Sequence, residues 1–355
     1  MSEKQSISIG NLWKVLLTLT LLVYALMDAK AILIPIVFSA FLTVILNPIV
    51  SFLEKRKFPT WLAIIMTIIL LLLLISLLVY FISTQSKSLL NDMPDLMGKY
   101  NQFLNKLEEQ VGLLFGVYGK DQIALLKENS TSLISSGTGF LTNFINATSS
   151  LLSFFTIVPI YIVFMLLSRN SMRQFLIALG KKNNRNFLKI GREIKEMILS
   201  YIGGLFIVVA IISALNTIGL LSLGIKHAVF LGVLSGALTI IPYIGILIGG
   251  AVPVFVALLT KDSLFYPIAV VALIALVQFL EGNFITPKVI GSKVNISALA
   301  AIIALLIGAS IWGIIGMILA IPMIGIVKII FSHVDSLKPY AILLAEKVEE
   351  EDSKP

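Results

Sequence analysis

Long runs of apolar residues that contain no Asp, Glu, Lys or Arg divide this chain. These runs cover residues 31–53, 61–86, 129–168, 197–225, 228–260, 263–280 and 294–327. About 20 apolar residues in a helix cross the hydrocarbon core of a bilayer, so most of these runs are long enough to span it. The weaker segment 11–27 carries Lys14 near its start, where a long side chain can reach the headgroups. The pattern predicts an all-α polytopic membrane protein with about eight membrane segments.

Two of the runs, 228–260 and 294–327, are too long for one straight span and are rich in glycine and proline. Helices broken at membrane depth are tolerated only where protein or a water-filled cavity surrounds the freed backbone groups, and in transporters such breaks often form the binding site. We expect either two re-entrant hairpins of inverted topology, with tips at 243–245 and 311–313, or two kinked spans. The residues predicted to act as helix breaks or hinges are Pro242, Gly245, Pro253, Gly313, Gly316 and Pro322 in these runs, and Pro287 between them.

Polar side chains in the apolar second half are few, and Glu281 is the only acid between Asp262 and Asp335. An ionisable group in or near a span is a functional-site hypothesis by default. A carboxyl group removed from water could exchange a proton near neutral pH, as coupled transport requires. The alternative is a glutamate at a helix end that reaches headgroup water. The residues predicted to bind a substrate or ion are Glu281, Gln278, Asn283, Tyr243, Asn216 and Thr286.

Composition excludes a soluble fold, because 58% of the residues are hydrophobic and 13% are charged, whereas soluble domains are about 45–50% apolar and about 25% charged. Cysteine is absent and the two histidines, His227 and His333, are far apart, so we expect no metal site and no cofactor. The net charge of +8 arises from basic residues beside apolar runs. They indicate membrane orientation and anionic lipid rather than nucleic acid.

Basic residues also predict which segments face the cytoplasm. Three of them fill 55–57 and eight lie in 169–196, whereas 87–128 has five lysines against six acids and is expected outside.

Within that outer segment an apolar stripe predicts an amphipathic helix with Pro94 in its first turn, packed on its own membrane domain or against another subunit. The predicted parts are three N-terminal spans (1–86), an extracytoplasmic helical segment (87–147), a fourth span (148–168), a basic cytoplasmic amphipathic link (169–198), a transport core (199–331) and a cytoplasmic tail (332–355).

Four stretches of the sequence carry a family resemblance. LNPIVSFLEKRKFPTWLA stands near the N-terminus, followed in order by IPYIGILIGGAVPV, QFLEGNFITPKVIGSKV and GASIWGIIGMILAIPMIGIVKII. In these the chain resembles the autoinducer-2 exporter family of prokaryotic membrane proteins, over nearly its whole length, with 87–147 the least distinctive part. The resemblance implies a multi-pass transporter of the plasma membrane, some members being linked to export of autoinducer-2 and others to sodium or lithium exchange against protons.

The resemblance also assigns roles to particular residues. Pro242, Tyr243 and Gly245 would form the first break, Gly313, Gly316 and Pro322 the second, and Gln278, Glu281, Asn283 and Pro287 a polar signature.

Other classes of function have less support. The chain has no HExxH, no G-x-S-x-G and no G-x-x-x-x-G-K-[ST], so we expect no enzyme. A channel or a non-transporting scaffold is the alternative, because broken helices also build selectivity filters. We therefore predict a gradient-driven transporter that exports a small polar signal of autoinducer-2 type or exchanges Na⁺ or Li⁺ for H⁺. Its expected partners are the bilayer and that substrate, with no nucleic acid. A second copy of the chain, in a homo-oligomer, is a further candidate partner.

The charge asymmetry yields a testable topology with both termini in the cytoplasm. A single cysteine at Asn105 in this cysteine-free chain should react with a membrane-impermeant maleimide in intact cells. A cysteine within 169–196 should react only after the cells are opened. The reverse labelling pattern would contradict the orientation.

Overall fold

The computed structural model describes residues 9–115, 152–183, 187–261, 263–291 and 295–346, and within these ranges the chain is helical and has no strand. The α-helices are α1 (Ile9–Asp28), α2 (Lys30–Lys55), α3 (Thr60–Phe115), α4 (Leu152–Leu167), α5 (Arg169–Asn183), α6 (Phe187–Ser222), α7 (Ala228–Leu238), α8 (Ile244–Thr260), α9 (Phe265–Leu280), α10 (Ala298–Ser332) and α11 (Lys338–Leu344). Two π-helical turns, Glu281–Ile285 and Pro287–Gly291, follow α9, and a 3₁₀ turn, Asp335–Leu337, precedes α11.

The predicted all-α membrane class is confirmed. Within the described ranges, five helices are long and apolar enough to cross a membrane, or six if α4 and α5, which are bent by 57°, form one span; this count uses length and composition only and takes α10 along its whole length, although α10 turns back at Gly313. The predicted count of about eight segments is not confirmed. One reason is that α7 and α8 have only 11 and 17 residues. At 1.5 Å per residue they reach about 17 and 26 Å, short of a hydrocarbon core of about 30 Å.

The outward-facing side chains of these helices are largely apolar. On α3, Leu73, Leu77 and Tyr80 are 58%, 61% and 68% exposed. A soluble protein rarely exposes so continuous an apolar surface, whereas hydrocarbon chains solvate it without penalty. The exposed apolar faces therefore agree with a protein surrounded by lipid.

The helix predicted to begin near Pro94 is not a separate element. Helix α3 continues without interruption from Thr60 to Phe115, so Pro94 lies in its interior and the prediction of a first-turn proline was wrong. Residues 116–151, which include most of the predicted outer segment and the start of the fourth span, lie outside the described residues.

The chain forms two compact units. The first unit comprises 1–64, 156–199 and 294–355, and the second comprises 65–155 and 200–293. The core of the second unit is a cluster of buried side chains that includes Leu89, Leu220, Phe230, Leu231, Val256 and Val270. Side chains of α7 and α8 form much of this core, so the two short helices are held by packing against their neighbours.

Helices α7 and α8 form a hairpin in the second unit. The helical path is interrupted between Leu238 and Ile244, and Tyr243 takes a positive φ of 63° just before α8 begins. The predicted break around Pro242 and Gly245 is therefore present. Pro253 was also predicted to break this run, but α8 continues through it. Its effect is tolerated because neighbouring helices can satisfy the backbone groups that a proline frees.

Helix α10, in the first unit, is also a hairpin rather than one straight rod. Gly313 has φ 62° and ψ −138°, a conformation that glycine adopts at little cost. The Cα of Gly316 lies so close to the Gly308 carbonyl that a Cβ there would overlap it. Eight residues of straight helix would separate these glycines by about 12 Å, so the chain must turn back. Pro322, in contrast, lies inside the second arm without interrupting it.

Polar contacts join the other parts of the first unit. Arg169 pairs with Glu54 and donates to Asn47 Oδ1, which attaches the start of α5 to the end of α2. The indole Nε1 of Trp312 donates to the Leu26 carbonyl at 3.0 Å. Two points stay predictions. One is that α5 lies in the membrane interface or, alternatively, is a solvated connector. The other is that the two hairpins have inverted topology.

The close approach inside α10 can be tested by adding one methyl group. Gly316→Ala would push a Cβ into the Gly308 carbonyl, and overpacking of this kind costs about 1–3 kcal/mol. We expect a lower midpoint of thermal unfolding in detergent. Gly203→Ala, where an added Cβ meets nothing within 4 Å, is the matched control. Equal stability of the two variants would argue against the turned-back path.

Candidate functional site

A small pocket lies inside the second unit, where α6, the α7–α8 hairpin and α9 meet. The free space open to the centre of a water-sized group is about 20 Å³, which is room for about one water molecule. The polar residues on its wall are Asn216, Ser235, Thr239 and Gln278, and the remainder of the lining is formed by Ile212, Gly245, Ile246, Gly249, Gly250, Ile274 and Val277. We call this the Asn216 pocket. It combines apolar walls with a few convergent polar groups, as ligand sites commonly do.

Small residues on α7 allow the hairpin to lie directly against α6. Gly232 meets Thr217, and Gly236 meets Ser213 and the Val209 carbonyl, so closely that a Cβ at either glycine would overlap these atoms. The GxxxG spacing of the two glycines thus serves helix packing, as such spacings do in membranes. This contact brings the hairpin next to the polar positions of α6.

The two arms of the hairpin are also joined by a buried hydrogen bond. Ser235 Oγ on α7 donates to the Gly249 carbonyl on α8 at 2.5 Å, and Thr239 Oγ1 donates to the Ser235 carbonyl at 3.1 Å. Each hydroxyl group uses its single proton in this way. Each hydroxyl oxygen keeps lone pairs that can accept a further hydrogen bond, and both residues line the pocket.

Asn216 is the one described residue whose buried side-chain oxygen has no hydrogen-bond partner. The side chain is only 5% exposed, and its Oδ1 accepts no hydrogen bond. Leaving a buried acceptor unpaired costs about 1–3 kcal/mol, and each such group in a native fold calls for an explanation. Its position on the pocket wall indicates that a bound ligand or water supplies the missing partner.

Gln278 connects the pocket to the acid at the end of α9. Its side chain lines the pocket, and its Nε2 donates to Glu281 Oε2 at 2.7 Å. Glu281 is partly buried, and this amide is the hydrogen-bond partner that the described structure gives it. A charge-assisted bond of this type holds the carboxylate in a defined orientation.

The α-helix changes to π-helical turns at Glu281, three residues after Gln278. Residues Glu281–Ile285 and Pro287–Gly291 form π-helical turns, which occur often at functional sites. Asn283 is exposed there, and its Nδ2 donates to the Phe279 carbonyl at 2.9 Å. Thr286 stands between the two turns.

The structure therefore brings together only part of the predicted set. Asn216 and Gln278 lie on the pocket wall, and Glu281 is attached to it through Gln278. Tyr243, Asn283 and Thr286 are not among the lining residues.

Sequence reasoning missed the hydroxyl groups of Ser235 and Thr239 as pocket residues. Thr239 stood out as one of the few polar residues of the apolar half. The signal for Ser235 was weaker, since a serine between small residues is common in helix packing.

Comparison with known proteins decides the family. The family model for the AI-2E family transporter matches residues 14–336. The chain belongs to the AI-2E transporter family. It is thus a multi-pass membrane transporter of a bacterial transporter family, and the resemblance seen in the motifs is confirmed.

Relatives align over most of the chain. YueF of Bacillus subtilis (strain 168), which carries a provisional transport-protein name, is 29% identical over 90% of this chain and 88% of its own length. YrrI of the same strain, named in the same way, is 27% identical over 86% and 87%. The AI-2 transport protein TqsA of Escherichia coli (strain K12) is 25% identical over 90% of each chain.

The unpartnered oxygen of Asn216 permits a test that separates a binding role from a packing role. Asn216→Leu keeps the branched shape of the side chain and removes the unpaired acceptor, so thermal stability should be equal or higher, by up to about 1–3 kcal/mol. Transport in proteoliposomes should nevertheless be lost. Ile218→Met, on the exposed side of the same helix, is the control. Normal transport by Asn216→Leu would remove this residue from the site.

Proposed function

We propose that this chain is a gradient-driven secondary transporter that binds its substrate in the Asn216 pocket. The observation that carries the proposal is the unpartnered Oδ1 of Asn216, buried beside the break between α7 and α8. Broken helices build substrate sites in many secondary transporters because the break frees polar groups inside the membrane domain. Glu281, attached through Gln278, is the proposed carrier of the coupling proton.

The chemistry of the pocket limits the substrate. Its described polar groups are amides and hydroxyls without charge, and its 20 Å³ of free space holds about one water molecule. The class that this small volume and the polar wall support is Na⁺ or Li⁺ exchanged for H⁺. The second class is a small polar signal of autoinducer-2 type, supported by the similarity to TqsA; its binding requires the pocket to open.

Other positions enter the proposal with supporting roles. Tyr243 precedes the first turn of α8, while Asn283, Thr286 and Pro287 belong to the π-helical stretch after Glu281. We place them along the transport path outside the pocket, with the π-helical stretch and the hairpin breaks as hinges. The proposal includes a location in the prokaryotic cell membrane with both termini in the cytoplasm.

Reconstitution into liposomes tests the proposed class of function. Uptake of Na⁺, of Li⁺ and of a furanosyl signal should be measured separately, each with and without an imposed proton gradient. A transporter should show saturable uptake that the gradient drives, whereas a channel would show non-saturating flux that follows the substrate's own gradient. If none of the three probes moves, the proposed function is wrong.

The role of Glu281 can be tested by removing its exchangeable charge. Glu281→Gln keeps the shape and a hydrogen-bonding group, so the protein should fold, while proton-coupled flux over a pH series should collapse. Glu346→Gln, an exposed acid near the end of the described chain, should behave like the wild type. If Glu281 were only a solvated helix-end residue, its substitution would change stability little. Unchanged proton coupling in Glu281→Gln would exclude it from the mechanism.

A further inference from the structure

We propose that Gln278 is the coupling residue of the transporter, which makes a cation in the Asn216 pocket and a proton on Glu281 mutually exclusive. This inference rests on the proposed function, because it takes the pocket as the transport site. It adds that Gln278 contacts both the Asn216 pocket and Glu281, and it gives a physical reason for the exchange of a cation for a proton. The side-chain amide of Gln278 then turns over between two orientations, and it presents either its oxygen or its NH₂ group to the pocket.

The geometry makes Gln278 the link between the two sites. Its side chain is on the pocket wall, and its Nε2 reaches Glu281 Oε2 at 2.7 Å. Glu281 is not itself a lining residue. A change in the charge of Glu281 therefore reaches a ligand in the pocket through this amide.

The ionised state of Glu281 favours a cation in the pocket. A carboxylate only accepts hydrogen bonds, so it requires the NH₂ end of the Gln278 amide. The amide oxygen is then the end available to the pocket, where it joins Asn216 Oδ1 and the lone pairs of Ser235 and Thr239. Oxygen ligands of this kind suit hard monovalent cations such as Na⁺ and Li⁺.

Protonation of Glu281 reverses the amide. A protonated carboxyl gains an O–H to donate while it keeps an acceptor oxygen, and in the proposed mechanism this O–H takes the Gln278 oxygen as its acceptor. The terminal torsion of glutamine is broad and roughly two-fold, so the amide can turn over without a strained rotamer. Its NH₂ group then faces the pocket and replaces an acceptor with a donor. A bound cation loses one ligand and meets the positive end of a dipole, so it is released.

The surroundings of Glu281 contain few other groups that could take this role. Helices α7, α8 and α9 carry no charged residue. Helix α6 packs on Val289 and Ile290 at Gly204, and its residues 197–222 also carry no charge. The titratable side chain on that part of α6 is Tyr201. Lys288 is exposed in the second π-helical turn, and in the described structure no cationic side chain forms an ion pair with Glu281.

Gln278→Met tests the proposal because methionine has a similar length but cannot form the hydrogen bond. Uptake of Na⁺ and of Li⁺ into proteoliposomes should be measured over a pH series, together with proton movement reported by a trapped pH-sensitive dye. We expect Gln278→Met to carry the ion down its own gradient while losing most of the proton counterflow and of the pH dependence. Leu276→Met, on the exposed side of α9, should keep the wild-type coupling.

The outcomes separate this proposal from the proposed function. If the wild type exchanges Na⁺ or Li⁺ for H⁺ and Gln278→Met retains the same ratio of protons to ions, Gln278 is not the coupling residue, although the transporter assignment stands. If the wild type carries neither ion, both the cation pocket and this coupling are wrong. If Gln278→Met does not fold, Gln278→Leu and Gln278→Glu provide the same measurement. Glu at this position can donate only when protonated, so its coupling should shift in pH rather than remain as in the wild type.

Discussion

Every polar backbone group at a helix break inside a bilayer needs a partner within the protein, and this constraint governs the second unit. At the break between α7 and α8, nearby residues supply such partners. The N–H of Ile241 donates to the Leu238 carbonyl, and the N–H of Gly245 donates to the Ile241 carbonyl, both at 2.9 Å. The hydroxyl of Ser235 adds the bond to Gly249 across the two arms. These bonds satisfy part of the turn from its own residues, and the pocket beside it keeps the unpaired Asn216 Oδ1.

The pocket depends on how closely the helices approach. Gly232 and Gly236 place the backbone of α7 against α6, which positions Asn216 beside the hairpin. A larger side chain at either glycine would separate the helices and open the polar site to its surroundings. Gly232 and Gly236 thus set the position of the proposed site through helix packing, and neither glycine lines the pocket itself.

The Gln278–Glu281 pair gives this small neutral pocket a connection to a titratable group. An amide is suited to that place because it can donate or accept by turning over, whereas a second charge would have to be desolvated. The π-helical turns begin at Glu281, the residue that accepts this bond. The family assignment establishes a transporter, and this arrangement offers a physical route by which its substrate and a proton could be exchanged.

The helical membrane class could be predicted from the amino-acid sequence, because the preference for lipid depends on local composition and run length. The sequence also drew attention to Glu281, Gln278 and Asn216, since polar residues in apolar runs are costly. The folded structure was needed to see that Pro253 and Pro322 leave their helices unbroken and that Ser235 joins Asn216 in one pocket. Those outcomes depend on the rotation and close packing of neighbouring helices, which supply or withhold partners for each residue. That information is not contained in any single run of residues.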